Sequence, residues 1–308
     1  MSEYELLKID SCHKDRFISA WETAFDRELA PEVYNWIFDD CNIIYALIHS
    51  GEIVAGYCLY PLSCIWQREP ATALLCNNVF VCPGYQGKHL FVKISKAALN
   101  DANKNKYGSI AFGVPNTLAL PGHKRVGWGV QEQIAFLEKT IRPVVREQTG
   151  EWFFGHLSDL NRAGISQCSR RASREREFSI VKNSDFIRWR YESKPGVKYW
   201  FGIVKKNKDV VAYCVCKFFK AKGALHIIDL DGTDKYAIES LIKDVEAIPE
   251  SFNFVNVWSS TIHRDLFLTA GYCVSDSADN FIALNIVELE PVYFGENINI
   301  CLGDNDVY

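Results

Sequence analysis

The fold is decided by the stretch Asn78-Val79-Phe80-Val81-Cys82-Pro83-Gly84-Tyr85-Gln86-Gly87-Lys88-His89-Leu90. Its apolar first half is typical of a strand, and Pro83-Gly84 ends that strand before a helix predicted over 88–103. Free amides in a first helical turn carry the positive end of the helix dipole, so such a turn binds anions such as a diphosphate. A dinucleotide-binding fold also places glycines here, but it needs GxGxxG in a parallel βαβ unit, whereas hairpin turns join the preceding strands.

The order of elements around this stretch repeats along the chain. Three strands precede it, and a strand, a short helix ending at Gly127-Trp128 and a strand at 131–141 follow its helix. The second half has the same order, and its short helix ends at Gly271-Tyr272. We therefore predict a tandem duplication of one α+β unit. The predicted boundaries are 1–147 for the first unit, 148–179 for a connector and 180–308 for the second unit.

Composition and charge exclude several classes of protein. Residues 1–150 carry 15 Lys and Arg against 16 Asp and Glu, and the remainder carries 19 against 22, so neither half has the basic face of a nucleic-acid binder. We find no signal peptide and no apolar stretch of about 20 residues, and expect a cytoplasmic protein without membrane insertion. The 11 cysteines include no CxxC pair, so we expect reduced thiols and no metal site. A homodimer is left open.

Residues 81–87, with the pattern V-x-P-x-Y-Q-G, resemble the motif of the GNAT superfamily of acyl-coenzyme A (CoA) N-acyltransferases. Asn116 and the Gly127-Trp128 pair match a second feature of the family, although His89 and Phe91 stand where it usually has small residues. The resemblance implies two α+β units, each with a mostly antiparallel mixed sheet flanked by helices. It also implies a V-shaped gap between the fourth and fifth strands.

The resemblance implies an acyl-CoA site in the first unit, without a metal. Backbone amides would bind the pyrophosphate and the thioester oxygen, and Asn116 would hold the pantetheine arm. The acid of the family lies four residues before the Gly-aromatic pair, which is His123 here; an exposed helical histidine without a role is the alternative. Asn77 and Asn78 would orient the amine or cap a strand bulge, and Cys82 is read as buried filler rather than a nucleophile. The predicted catalytic residues are His123, Asn78 and Val81, and the predicted cofactor-binding residues are Phe80, Val81, Gln86, Gly87, Lys88, His89, Leu90 and Asn116.

The second half suggests an acceptor. Its segments 185–191 and 303–307 resemble a group of bacterial acyltransferases of surface-polysaccharide pathways, whose relatives acylate the amine of a nucleotide-linked amino-deoxy sugar. The predicted substrate-binding residues are Asn77, Arg188, Trp189, Arg190 and Tyr191, with a buried salt-bridged helix as the alternative for the last four. The arginines of 170–176 are either a solvated connector or a phosphate clamp. Asp229 and Asp231 stand where a second phosphate loop would lie, so only the first unit is expected to bind CoA.

These observations predict an N-acyltransferase. An acetyl or short hydroxyacyl group, such as hydroxybutyryl, would move from CoA to the amine of a nucleotide-linked amino sugar by direct attack in a ternary complex. One alternative is a GNAT enzyme that acylates a protein, a peptidoglycan precursor or an antibiotic amine, for which an acidic cleft is expected. The other is a non-catalytic protein that binds CoA or a sugar nucleotide.

Overall fold

The protein is described by a computed structural model that covers residues 4–38, 43–141, 147–260 and 262–305. Contacts between residues divide the chain into two compact units. Unit 1 comprises Met1–Leu62, Ala71–Glu132 and Asn280–Tyr293, and unit 2 comprises Ser63–Pro70, Gln133–Asp279 and Phe294–Tyr308. Within the described ranges, no helix is long and apolar enough to cross a lipid bilayer.

Strands and short helices alternate along the chain. The strands are β1 (Glu5–Lys8), β2 (Ile43–His49), β3 (Glu52–Trp66), β4 (Glu69–Val81), β5 (Ile110–Gly113), β6 (Gly129–Val130), β7 (Ile134–Thr140), β8 (Glu151–Phe154), β9 (Phe178–Ile180), β10 (Trp200–Lys206), β11 (Asp209–Phe219), β12 (Ala224–Gly232), β13 (Phe254–Trp258), β14 (Cys273–Asp279), β15 (Ile282–Asn285), β16 (Glu290–Pro291) and β17 (Ile298–Asn299). The helices are α1 (Lys14–Phe25), α2 (Pro31–Ile37), α3 (Leu90–Lys104), α4 (Leu120–Val126), α5 (Asp159–Ser173), α6 (Ser184–Ile187), α7 (Lys235–Asp244) and α8 (Arg264–Thr269). A π-helical turn, Arg188–Glu192, continues α6.

Unit 1 is built on a mixed sheet with the strand order β1-β2-β3-β4-β5-β15-β16. β4 and β5 run parallel, whereas β1 with β2, β2 with β3, and β5 with β15 run antiparallel. The apolar residues of α3 recur every three or four positions, so one side of the helix is buried in the core of this sheet. The buried residues of that side are Leu90, Ile94, Ala98, Leu99 and Ala102.

Unit 2 repeats this design with the strand order β14-β7-β13-β12-β11-β10-β8. β12 and β13 run parallel, and every other adjacent pair in that order runs antiparallel. α7 buries its apolar side in the core of the unit, and α5 contacts β11 and β12. The fold class predicted from the sequence, two α+β units each with a mixed sheet and flanking helices, is confirmed.

Each sheet includes one strand that the chain reaches from the other unit. β7 follows β6 of unit 1 in the sequence but pairs with β13 and β14 of unit 2. β15 follows β14 of unit 2 but pairs with β5 of unit 1. In both sheets, therefore, the strand next to the parallel pair is antiparallel to it and comes from a distant part of the sequence.

This exchange makes the units discontinuous, in contrast to the predicted boundaries of 1–147 and 180–308. Apolar alternation identifies β7 and β15 as strands, but it carries no information about the partner of either strand. The predicted connector, 148–179, contains β8, α5 and β9, and β8 is the last strand of the unit 2 sheet. The segment 148–179 lacks an apolar pattern in the sequence because many of its buried positions are polar, including Asn161, Arg162 and Ser169.

Candidate functional site

The end of β4 separates from β5. The two strands pair only from Ala73 to Leu75, and β4 continues for six more residues to Val81. A positive φ of 46° at Asn78 interrupts the strand, as in a β-bulge. The amide of Cys82 donates to the carbonyl of Val54 on β3 at 2.9 Å. Because amides alternate along a strand, the amide of Val81 faces the opposite edge, where β5 has ended.

Phe80 contributes differently from Val81. By the same alternation its amide faces β3, and its ring is buried against the rings of Phe17 and Phe25, with centroids 5.6 and 5.9 Å away. The predicted thioester contact of Phe80 therefore has no support from its position. Val81 alone of the pair directs its amide toward the gap.

The turn between β4 and α3 is rich in unsatisfied amides. Gly84, Gly87 and His89 have φ values of 81°, 77° and 59°, and a Cβ added to Gly87 would contact nothing within 4 Å. The amides of residues 86–90 form no hydrogen bond with any part of the chain that the structure describes. The side chains of 86–89 are exposed. The turn thus offers a row of donors at the positive end of a 15-residue helix, which suits a diphosphate.

Asn116 lies in the loop between β5 and α4. Its side-chain oxygen accepts a hydrogen bond from the amide of Ala119 at 2.9 Å, which orients the side chain at the start of the turn leading into α4. The residue is exposed, and its NH₂ group forms no hydrogen bond within the described residues. It is therefore available to an amide carbonyl of a pantetheine arm.

His123 is buried inside unit 1. Its ring packs edge-on against Phe91 and Trp128, with centroids 5.0 and 5.3 Å away, and the residue is only 4% exposed. Burial lowers the pKa of His123 to about 4. The imidazole is therefore neutral at pH 7, and Nδ1 is buried with no hydrogen-bond partner in the part of the chain that the structure describes. This position argues against the predicted role of His123 as a cationic acid. The sequence does not show that His123 is buried, because Phe91, which covers its ring, lies on a different helix.

The two asparagines of β4 have different environments. The side-chain oxygen of Asn78 accepts a hydrogen bond from the indole of Trp21 at 3.0 Å, so this residue ties α1 to the bulge. Both polar atoms of the Asn77 side chain are buried and lack a hydrogen-bond partner among the described residues. Burial raises the pKa of the Cys82 thiol, whose sulfur contacts the carbonyls of Ala20 and Ile53. Cys82 is thus a protonated, buried thiol, in agreement with its reading as filler.

The predicted acceptor residues of unit 2 do not form one surface. Arg188 is exposed and pairs with Asp185 at 3.4 Å, and Trp189 is half-buried. Arg190 and Tyr191 are each 1% exposed. Arg190 donates to the carbonyls of Gly303 and Asn305, and Tyr191 donates to Asp229 at 2.8 Å. Arg190 and Tyr191 therefore stabilise the unit and are withdrawn from the acceptor site.

The arginines of 170–176 also divide. Arg170 and Arg174 are exposed, and Arg171 lies 3.4 Å from Asp209 at the surface. Arg176 is buried and donates two hydrogen bonds to Asp231, each 2.5 Å long. A clamp made of the whole run is excluded, because its last member is already neutralised within the unit.

Two carboxylates that the sequence assigned to a loop lie on β12. Burial raises the pKa of Asp229 to about 6, although the ammonium of Lys182 lies 3.7 Å away. Burial also acts on Asp231, but Arg176 outweighs it and holds the pKa of that carboxyl below its usual value. These side chains belong to a buried charge network rather than to an exposed phosphate loop. A sequence signal existed: Ile227-Ile228-Asp229-Leu230 places a carboxylate in an apolar run.

The C-terminal segment fills the gap between β12 and β13. β12 pairs with β13 only from Ala224 to His226 and then continues for six residues to Gly232. The remaining cavity there is about 10 Å³, and it is lined by Ile227, Ile228, Asp229, Leu230, Val257, Trp258, Ile300 and Cys301. Asp304 anchors the segment through Lys182 at 2.5 Å, and Ser260 donates to the carbonyl of Ile300 at 2.7 Å. Nothing in the sequence pointed to this occupant, and residues 306 and 307 of the predicted tail motif lie outside the described residues.

The structure also shows the state of the thiols and one cluster of potential metal ligands. The ten cysteines in the described part of the chain are free thiols. Asp10, Cys12 and His13 bring three donor atoms within 4.8 Å of one another just before α1, which the sequence analysis missed. Hydrogen bonds from Cys12 and His13 to one oxygen of Asp10 account for this arrangement.

Comparison with known proteins agrees with this geometry. Residues 6–131 match the family model described as an acetyltransferase (GNAT) domain. The end of β4, the turn into α3, Asn116 and His123 all lie in this matched region, whereas 188–191 lie outside it. No curated protein matches the chain in sequence.

Solved structures extend the likeness to most of the chain. The fold is similar to a GCN5-related N-acetyltransferase from Anabaena variabilis (TM-score 0.74, 11% identity, covering 92% of this chain and 73% of that one). It is also similar to Eis1 from Mycobacterium abscessus, with a TM-score of 0.64 and 13% identity, covering 92% of this chain and 74% of that one. A third similar structure is the N-myristoyltransferase of Saccharomyces cerevisiae with bound myristoyl-CoA and inhibitors. Its TM-score is 0.61 at 12% identity, covering 97% of this chain and 84% of that one. With the GNAT domain, these neighbours support an acyl-CoA-dependent transferase.

Proposed function

We propose that the chain transfers an acyl group from acyl-CoA to the amine of a nucleotide-linked amino-deoxy sugar. The observation that carries the donor side is the end of β4, which leaves β5 after Leu75 and leads to the five consecutive amides of 86–90, which have no partner among the described residues. A strand edge and a helix start that face one ligand suit a molecule with a diphosphate at one end and a reactive carbonyl at the other. Acyl-CoA is such a molecule.

Donor binding uses backbone groups and one side chain. The amides of 86–90 bind the pyrophosphate, and the NH₂ group of Asn116 binds a carbonyl of the pantetheine arm. The amide of Val81 binds the thioester oxygen, and this contact strengthens as negative charge develops on that oxygen.

The reaction is a direct attack. The amine nitrogen forms a bond to the thioester carbon, the C–S bond breaks, and the proton lost by the amine ends on the sulfur of CoA. Because His123 is neutral at pH 7, the proton reaches the thiolate from the amine or through water rather than from an imidazolium.

The acceptor class rests on the resemblance of segments 185–191 and 303–307 to acyltransferases of amino sugars. One side chain of the predicted acceptor set, Asn77 of unit 1, retains unused polar groups. Both of its side-chain polar atoms are buried and have no hydrogen-bond partner among the described residues. Asn77 would orient the attacking amine.

A thiol-release assay tests both parts of the proposal. Acetyl-CoA and 3-hydroxybutyryl-CoA are offered with a UDP-linked amino sugar, the free amino sugar and a peptide with a primary amine, and the products are weighed by mass spectrometry. We expect thiol release and a mass gain of one acyl group with the UDP-linked sugar, and neither with Gly87→Asp. Acylation of the peptide alone would keep the donor chemistry but contradict the acceptor class. Thiol release no faster than hydrolysis with every amine would contradict the enzyme.

A further inference from the structure

A cavity of about 560 Å³ lies in unit 2, beside the ends of β8 and β10. The loop 194–198 and Glu250 complete its wall, so every lining residue belongs to unit 2. Its volume is in the range of about 300–1,000 Å³ that is typical of small-ligand sites. None of the residues discussed for acyl transfer lines this cavity.

An aromatic pair forms one wall of the cavity. Phe154 and Trp200 are opposite each other in the antiparallel pairing of β8 with β10, and their ring centroids are 4.8 Å apart. Trp200 packs against the core of unit 2, whereas Phe154 is 50% exposed at the last strand of the sheet. A large aromatic face left accessible in a concave site is suited to stacking with a planar ring.

One of the two glutamates that line the cavity is ion-paired. Glu192 is engaged by the guanidinium of Arg162 at 2.7 Å and the amide of Leu157 at 2.8 Å. Glu250 accepts a hydrogen bond from the indole of Trp200 at 3.4 Å.

By contrast, Lys198 and His156 are exposed and form no hydrogen bond or ion pair within the described ranges. The ammonium of Lys198 lies 5.9 Å from the centre of the Phe154 ring. A cation that close to an exposed aromatic face can bind an anionic group attached to a stacked ring.

We propose that this cavity binds a nucleoside diphosphate. The base stacks on Phe154, and the phosphates pair with Lys198 and His156. A neutral oligosaccharide would also stack on an aromatic ring, but it would provide no anionic group for the exposed ammonium of Lys198 beside that ring. The proposal is independent of the proposed acyl transfer, because the predicted CoA site lies in unit 1.

Calorimetry at low ionic strength tests the ligand class. The intact chain is titrated with UDP, ADP, uridine and CoA. We expect UDP and ADP to bind, with an affinity about tenfold or more lower for uridine, which lacks the phosphates. CoA carries an adenosine phosphate of its own, so it is titrated into Gly87→Asp as well, where we expect binding in unit 1 to be about a hundredfold weaker.

Variants then locate the site. Phe154→Ala removes the stacking face and Lys198→Gln removes the charge, and each should weaken UDP binding about tenfold. Tyr236→Ala and Lys235→Gln change an exposed aromatic and an exposed lysine of the same unit outside the cavity, and should leave the affinity unchanged. All four side chains are exposed, and circular dichroism checks that each variant folds.

Three results would overturn the proposal. The first is no binding of UDP or ADP at millimolar concentration. The second is binding that Phe154→Ala and Lys198→Gln leave intact but Gly87→Asp abolishes, which would place the nucleotide in unit 1. The third is binding of chitotriose, as a neutral oligosaccharide, in preference to UDP.

Discussion

The ends of β4 and β12 have the same geometry and opposite chemistry. Each strand forms three pairs with its parallel neighbour and then continues for six residues beyond that pairing. Aligning the pairs makes Asn77 equivalent to Ile228, and Asn78 to Asp229. Asn78 and Asp229 both accept a hydrogen bond from an aromatic donor, Trp21 in one unit and Tyr191 in the other.

The difference lies in what meets the strand end. In unit 1 the strand leads into exposed amides without partners, whereas in unit 2 protein atoms and paired charges occupy the corresponding gap. The strand separation is thus a property of the scaffold and does not by itself indicate a cofactor site. In unit 1 a cofactor site is indicated by the amides of 86–90, which have no partner among the described residues.

The largest effect is expected from Lys182→Met. It removes the cation between Asp229 and Asp304 and leaves buried carboxylates without their partner, so the free energy of unfolding should fall by about 3–5 kcal/mol. Urea unfolding measures this, with Lys206→Met as the control, since its pair with Asp234 is exposed and is worth less than about 1 kcal/mol. A loss below 1 kcal/mol for Lys182→Met would mean that the charges do not hold the C-terminal segment in place.

His123 is expected to make stability depend on pH. Below its ordinary pKa of 6.5 the unfolded chain binds a proton at His123, whereas the folded chain does so only near pH 4. The free energy of unfolding should therefore decrease as the pH falls through this window, by about 3 kcal/mol in total from this group.

His123→Leu tests the buried imidazole directly. The variant should lose the decrease in the free energy of unfolding that His123 causes between pH 6.5 and 4. A similar decrease due to His226, whose pKa burial lowers to about 3, should remain. At pH 7 its turnover should stay within about threefold of the unmodified chain. A fall of about 10² or more with unchanged donor affinity would restore His123 as the acid.

Gly87→Asp should raise the Kd for acetyl-CoA about a hundredfold. The carboxylate repels the pyrophosphate and a side chain obstructs its approach to the amides. Gly51→Asp is the matched control, because Gly51 has a φ of 86°, open space around its Cα and a place in the β2–β3 turn. Equal loss of affinity in both variants would trace the effect to backbone strain and remove the turn from the donor site.

The smallest effect is expected from Asn77→Leu, whose two polar atoms have no partner to lose. Stability should stay the same or rise slightly, while kcat/KM for the acceptor should fall about tenfold. Asn78→Leu provides the contrast, since losing the bond to Trp21 should cost about 1–2 kcal/mol of stability. A destabilised Asn77→Leu with unchanged kinetics would make Asn77 a structural residue like its neighbour.

Local signals account for what the sequence predicted well. The positions of glycine and proline around 83–87 define the turn before α3, and Gly127 ends α4 with a φ of 112°. Alternation and helical spacing identify the repeated order of elements and hence the fold class. The predicted donor residues 86–90 depend on such local features, so the sequence could place them in a turn that leads into a helix.

Long-range pairing accounts for what the sequence could not predict. Arg176, Arg190 and Tyr191 carry the groups expected at an acceptor site, but their partners lie 55, 113 and 38 positions away along the chain. Burial of His123 likewise depends on Phe91, 32 positions earlier. Residue type and spacing are the same for a buried pair and an exposed ligand contact, and only the tertiary structure distinguishes them.

The exchanged strands set an order of events during synthesis. β5 leaves the ribosome about 170 residues before β15, its neighbour in the sheet. At about 5–20 residues per second, the edge of β5 then waits roughly 10–30 s for its partner. During that interval unit 1 has an unpaired, wholly apolar strand edge, which makes the nascent chain a substrate for chaperones and prone to aggregation. For the same reason, no single cut in the chain releases unit 1 with its sheet complete.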